Sequence, residues 1–243
     1  MRAPLLVPLF CLLALWSAFA RGEVPCAIPD DLAIRGLALP AAKQAVARSH
    51  ELVVLTLGGA HTAGVAANDP NATYPARLEA ELTAILPRVA IKVVNAAKPG
   101  NTVDGAVSGI AALIKSSGAK LVIWAPGGRD SVSHPNLDGF FSNLEAGIGA
   151  VRQSGADLII LDMQYVPSLE QWSRIEDYRD MLRGTASAND VPLVPRHELM
   201  RAWSDAGALN LDPSDKSEQI QSARKLFACM AKVLAAPIAE AVH

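Results

Sequence analysis

Net charge is nearly absent from this chain: 22 lysines and arginines stand against 24 aspartates and glutamates, leaving −2. Nucleic-acid-binding proteins carry a basic footprint, so this balance gives no reason to propose nucleic acid as a partner and leaves small molecules, glycans or proteins. Internal repeats, long linkers and low-complexity segments are also missing. With 243 residues, 51% of them hydrophobic, the chain can bury one α/β core, and nothing in it suggests a second domain.

Long apolar runs are scarce. The only candidate lies at the start, where Met1-Arg2 precedes an apolar run over 5–16, too short to span a bilayer comfortably, and Ala18-Phe19-Ala20 has the A-x-A form of a cleavage site. Residues 1–20 therefore read as a signal peptide, with an uncleaved anchor as the alternative. Cleavage predicts a periplasmic or secreted protein with no stable membrane span.

Cysteine is scarce too, with three in all. Cys11 would leave with the signal, so Cys26 and Cys229 remain. In an oxidising compartment they can form a disulfide closing a loop of about 200 residues, worth about 4 to 5 kcal/mol in the chain-entropy model. The alternative is one buried thiol in a helix and one exposed thiol in a tail.

What the sequence does have is an alternation of strand and helix patterns. Residues 52–57 are apolar and β-prone and break into the glycine-rich turn Gly58-Gly59-Ala60-His61. Helical spacing follows over 74–86, a short β run over 90–94, a second amphipathic stretch over 103–114 and a strand over 120–124. The pattern continues with a helix over 137–153, a near-continuous apolar strand over 157–162, a helix over 171–189, a strand over 191–194 and a closing helix over 217–236. Five strands with helices between them predict a parallel sheet covered on both faces, a three-layer α/β/α sandwich. In such sheets the loop after the first strand faces the ligand crevice.

The loops after these strands resemble, in order, the four motif blocks of the SGNH/GDSL hydrolases. Gly58-Gly59-Ala60-His61-Thr62-Ala63-Gly64 stands where that family has G-D-S-x-T-x-G, and Asn95-Ala96-Ala97 where it has Asn-x-Gly. Gly127-Gly128-Arg129-Asp130 corresponds to Gly-x-Asn-Asp, and Asp212-Pro213-Ser214-Asp215 to Asp-x-x-His. The resemblance runs over about 52–234 and implies a flavodoxin-like SGNH fold for 51–243, with 21–50 as an N-terminal extension packing on the domain.

It also implies that the chemistry is missing. The nucleophilic serine position is Ala60, the oxyanion glycine is Ala97, the oxyanion asparagine is Arg129 and the histidine base is Asp215; Asp212 alone survives among the named side chains. Ala97 keeps an amide that can still donate. A carboxylate with a pKa of ~4 is a poor base for a hydroxyl at neutral pH, and nucleophile and base act as a unit. The resemblance thus implies a catalytically inactive pseudo-esterase that binds an acylated glycan, a lipid or a protein partner. The alternative is a weak or altered ester hydrolase using His61 or a bound metal. No cofactor is implied.

The expected binding set is Gly59, His61, Asn95, Gly127, Gly128, Gln164 and Tyr165. His61 reads as a base, a metal ligand with Asp212 and Asp215, or a turn residue. Thr62 reads as structural, and Ser131, Ser133 and His134 form a second polar cluster. Trp124, Trp172 and Trp203 fill sheet-helix contacts or rim the crevice, and His197 is surface or core. Replacement of a neutral pair by Arg129 and Asp215 further predicts an ion pair closing the cleft.

Overall fold

A computed structural model describes residues 26–133, 136–170 and 174–243. The signal-peptide assignment, His134 and Trp172 lie outside them. In chain order the larger elements are α1 (Pro40–Ser49), β1 (Glu51–Gly58), α2 (Ala60–Ala63), α3 (Tyr74–Ile85), β2 (Ala90–Asn95), α4 (Val103–Ser117), β3 (Leu121–Ala125) and α5 (Asp130–Ser133). They continue with α6 (Leu137–Gln153), β4 (Asp157–Leu161), α7 (Pro167–Glu170), α8 (Ile175–Ala188), β5 (Leu193–Val194), α9 (Arg196–Asp205) and α10 (Lys216–Val242).

The five strands form one parallel sheet in the order β2-β1-β3-β4-β5. The central strands are apolar on both faces because helices cover both. Leu52 and Val54 of β1, with Leu121 and Ile123 of β3, pack in one core layer with α1, α3, α9 and α10. Leu55, Leu57, Val122 and Trp124 point the opposite way, into a layer made with α4, α6 and α8. This period-two division across a buried sheet gives the expected α/β/α sandwich.

Three boundaries differ from the sequence reading. The segment before β1 contains α1, whose Ala42 amide donates to Asp157 Oδ2 at 2.8 Å and whose Leu39 and Ala42 are buried. A second helix, α9, follows β5. The last helix does not stop before Pro237 but runs on to Val242. Proline costs a backbone hydrogen bond there, yet Ile238, Ala239 and Val242 are buried beyond it, and that packing outweighs the local penalty.

Cys26 and Cys229 are joined by a disulfide across a sequence separation of 203, with Cα atoms 5.2 Å apart. Beside it the Trp203 indole donates to the Ala27 carbonyl at 2.8 Å. No helix among the described residues is long and apolar enough to cross a membrane.

Candidate functional site

The site forms where β1 and β3 end. Gly59 is the extended N-cap of α2, so the chain leaves the sheet and turns into a single helical turn, with the Ala63 amide donating to the Gly59 carbonyl at 3.0 Å. Ala60 stands exposed at the tip of this elbow. Thr62 is buried behind it, so close that a Cβ at Gly58 would lie 2.4 Å from its Oγ1. Its role is structural.

Opposite, the loop after β3 turns at Gly127, with φ +89°; a Cβ there would fall 2.1 Å from Met163 Cε. Both the backbone conformation and the space require glycine. Asp130, buried at the start of α5, accepts the Val103 amide with both carboxylate oxygens at 3.2 Å, while Thr102 Oγ1 accepts from Gly105 at 3.3 Å. These bonds satisfy two free amides of α4 and tie the loop at 127–130 to the loop at 100–103. Burial raises the Asp130 pKa, and the backbone bonds oppose that shift.

Between these loops lies a cavity of about 300 Å³, lined among others by Gly59, Ala60, His61, Gly127, Gly128, Arg129 and Gln164, with Trp124 in its wall. Of the seven residues read as a binding set, Gly59, His61, Gly127, Gly128 and Gln164 line this one cavity. A neighbouring cavity of about 260 Å³ shares His61 and Gln164 with the first and adds Tyr165 and Asp212.

His61 stands between the two. The residue is half-buried, its ring meets Phe227 edge-on at 4.8 Å, and its Nδ1 is buried with no hydrogen-bond partner among the described residues. Burial, reinforced by the nearby Arg196 cation, lowers its pKa to about 3. The ring is neutral at physiological pH and a feeble base.

Several expectations are corrected. Asn95 lines neither cavity: its Oδ1 accepts from Thr56 Oγ1 at 3.2 Å and its Nδ2 donates to the Thr62 carbonyl at 3.1 Å, bracing the elbow from β2. The Ala97 amide is already committed to Asn95 Oδ1 at 3.2 Å. Asp215 also lines neither cavity; it caps α10, accepting the Glu218 amide at 3.0 Å. Among the described residues no ion pair joins it to Arg129, because its carboxylate is turned to the helix end. Ser131 and Ser133 bond back to the carbonyls of Gly128 and Arg129 and take no part in a nucleophile arrangement.

His197 is buried, with Nε2 3.1 Å from Glu170 Oε1 and its ring edge-on to Tyr165 at 5.2 Å. With Glu170 and Glu176 it forms the one metal-type cluster among the described residues, donor atoms within 4.8 Å of one another. Glu176 is already paired with Arg179 at 2.7 Å, so this trio reads as part of an ion-pair network. His61, Asp212 and Asp215 make no such cluster among the described residues.

Two features escaped the sequence reading. One is the 100–102 loop, which lines the main cavity. The other is Arg196, the first residue of α9, which is only 4% exposed and also lines that cavity. A charged residue between two strand-and-helix segments is expected outside, and nothing in the local pattern marks it as buried.

A parallel sheet in this order, with a crevice framed by the loops after β1 and β3, is the flavodoxin-like doubly wound arrangement that the SGNH hydrolases share. The model of the non-GDSL lipase-like family matches residues 25–243, and the chain belongs to that family. Among solved structures it is similar to TesA, at 22% identity and a TM-score of 0.58 over 75% of this chain and 99% of that one. It is also similar to AlinE4, an SGNH-hydrolase family esterase, at 22% identity and a TM-score of 0.55 over 68% of this chain and 86% of the other. A third similar structure is the psychrotrophic esterase EstA from Pseudoalteromonas sp., at 17% identity and a TM-score of 0.54 over 74% and 97% of the two chains. No curated protein matches the chain.

Proposed function

We propose that this is an exported, non-catalytic member of the SGNH fold that uses the crevice at the end of β1 and β3 to bind a ligand. The observation that carries the reading is at the elbow: Ala60 presents a methyl group at the exposed tip, and the adjacent imidazole has its basicity suppressed to a pKa of about 3. Acyl transfer by this fold needs a nucleophile and a base of useful strength together. An acylated glycan, a lipid or a protein segment bearing such a group are the ligand classes the resemblance suggests. The apolar run and A-x-A site at the N-terminus, together with the disulfide, support export to the periplasm or beyond.

The test is hydrolysis of short-chain nitrophenyl esters by the purified mature protein, with and without chelator and beside His61→Ala. Rates at the buffer blank are expected throughout. Hydrolysis that vanishes in His61→Ala or with chelator overturns the proposal. Restoring Ala60→Ser, Arg129→Asn and Asp215→His together is expected to leave the protein inactive, because position 215 serves the α10 terminus and lines neither cavity.

A further inference from the structure

Among the described residues Arg196 is a buried cation with neither a hydrogen-bond nor an ion-pair partner. Its Nε is enclosed and makes no hydrogen bond, and no carboxylate among the described residues lies within ion-pair distance of it. Asp162, the carboxylate whose field reaches it, is already taken up. Its Oδ1 accepts the Met163 amide at 2.7 Å, and its Oδ2 accepts from Arg179 at 2.9 Å and from Arg183 at 3.4 Å. Burial lowers the Arg196 pKa to about 10, with Tyr74 and Asp162 acting in the opposite sense from beyond contact range. The guanidinium therefore remains charged at neutral pH. Burying most of such a group without a counter-charge is costly, and proteins ordinarily pair it.

The cavity that Arg196 lines has a second guanidinium, Arg129, exposed on its rim. Among the described residues no aspartate or glutamate lines it. A chain with a net charge of −2 thus concentrates two cations and no anion around a space of about 300 Å³. Trp124, Val103 and Ala106 supply apolar lining. A guanidinium fork matches the two oxygens of a carboxylate, and the apolar lining suits a short hydrocarbon or sugar-ring body. A neutral ester offers neither cation a counter-charge.

We propose that the crevice binds a small carboxylate anion, with Arg196 at its floor and Arg129 at its mouth, and rejects the corresponding neutral ester or amide. This rests on the reading of the crevice as a binding site and gives its ligand a charge. A free acyl acid and an acidic sugar share the chemistry and would both present a carboxylate.

The experiment is calorimetric titration of the purified mature protein with hexanoate, glucuronate, hexanamide, ethyl hexanoate and inorganic phosphate, with Trp124 fluorescence as a second readout. Hexanoate or glucuronate is expected to bind at least ten-fold more tightly than either neutral compound and than phosphate; which of the two binds better identifies the source. Arg129→Gln, on an exposed position, is expected to weaken binding several-fold with no change in melting temperature. Arg196→Met is expected to weaken it at least ten-fold while leaving the melting temperature of the free protein unchanged or raised, the opposite of what loss of a structural arginine does.

Equal binding of ester and acid, phosphate binding in place of carboxylate, or unchanged carboxylate affinity in both variants overturns the inference. Failure of carboxylate binding with no ester hydrolysis sinks this inference and leaves the non-catalytic reading standing. Carboxylate binding accompanied by ester hydrolysis supports the anion site and sinks the non-catalytic reading.

Discussion

His61 illustrates how one neighbour changes what a residue can do. In the sequence it is the only titratable side chain beside the missing serine, and its pattern admits a base. In the fold it faces Phe227, lies within the field of Arg196 and has its pKa near 3 instead of 6.5. The consequence for stability has a definite sign. As pH falls through 6.5 the unfolded chain takes up the imidazole proton while the folded chain does not, so stability declines by up to about 1.4 kcal/mol per pH unit until the folded ring protonates near pH 3. Above pH 6.5 the contribution is complete. Urea denaturation of wild type and His61→Leu between pH 4 and 7 is expected to show a shallower dependence in the variant; parallel curves would contradict the burial argument. The role of His61 was not legible because pKa is set by its surroundings, and Phe227 and Arg196 are both more than a hundred positions away in the chain.

The helices divide by how much of their stability is local. α4 shows a cooperative start: Thr102 and the distant Asp130 each satisfy amides at its N-terminus. Asp130→Ala is expected to cost about 1 to 3 kcal/mol by leaving a buried amide unpaired. Asp130→Asn, which keeps an acceptor and removes a carboxylate whose ionised form burial disfavours, should recover most of that. Chemical denaturation of the two variants checks the order, and equal losses would show that charge, not hydrogen bonding, sets the contribution. The strands and amphipathic helices were legible because they bury one face or two and repeat accordingly. α1 and α9 were not. Each mixes apolar residues with charged ones, and α9 buries Arg196 and His197 along with Leu199, Met200 and Trp203. Their stability comes from the layer they pack into, which periodicity does not report. The continuation of α10 through Pro237 has the same origin.

For the molecule as a whole, the site was legible in outline because the loops at strand ends converge, and illegible in its charge. Glycines at 58, 59, 127 and 128 marked the loops that frame the crevice. Arg196 could be placed only after α9 was. The N-terminal segment is bound to the far end of the chain by the Cys26–Cys229 bridge and the Trp203–Ala27 hydrogen bond. Closing a loop of 203 residues removes about 5 kcal/mol of freedom from the unfolded chain. Cys26→Ser, or reduction of the wild type, is therefore expected to lower the denaturation midpoint strongly while far-UV circular dichroism in buffer stays the same. A midpoint unmoved by reduction would show that packing alone holds the N-terminal segment.

Between residues 26 and 243 the chain has no other cysteine. With these two cysteines alone, oxidation within one molecule has a single product, and there is no scrambled isomer to be rescued by a shuffling catalyst. The bond also cannot close until Cys229, within α10, has been synthesised. Each bridged molecule thus carries a covalent record that the segment at Cys26 has met α10, and among these two cysteines an erroneous oxidation has to announce itself as a link between two copies.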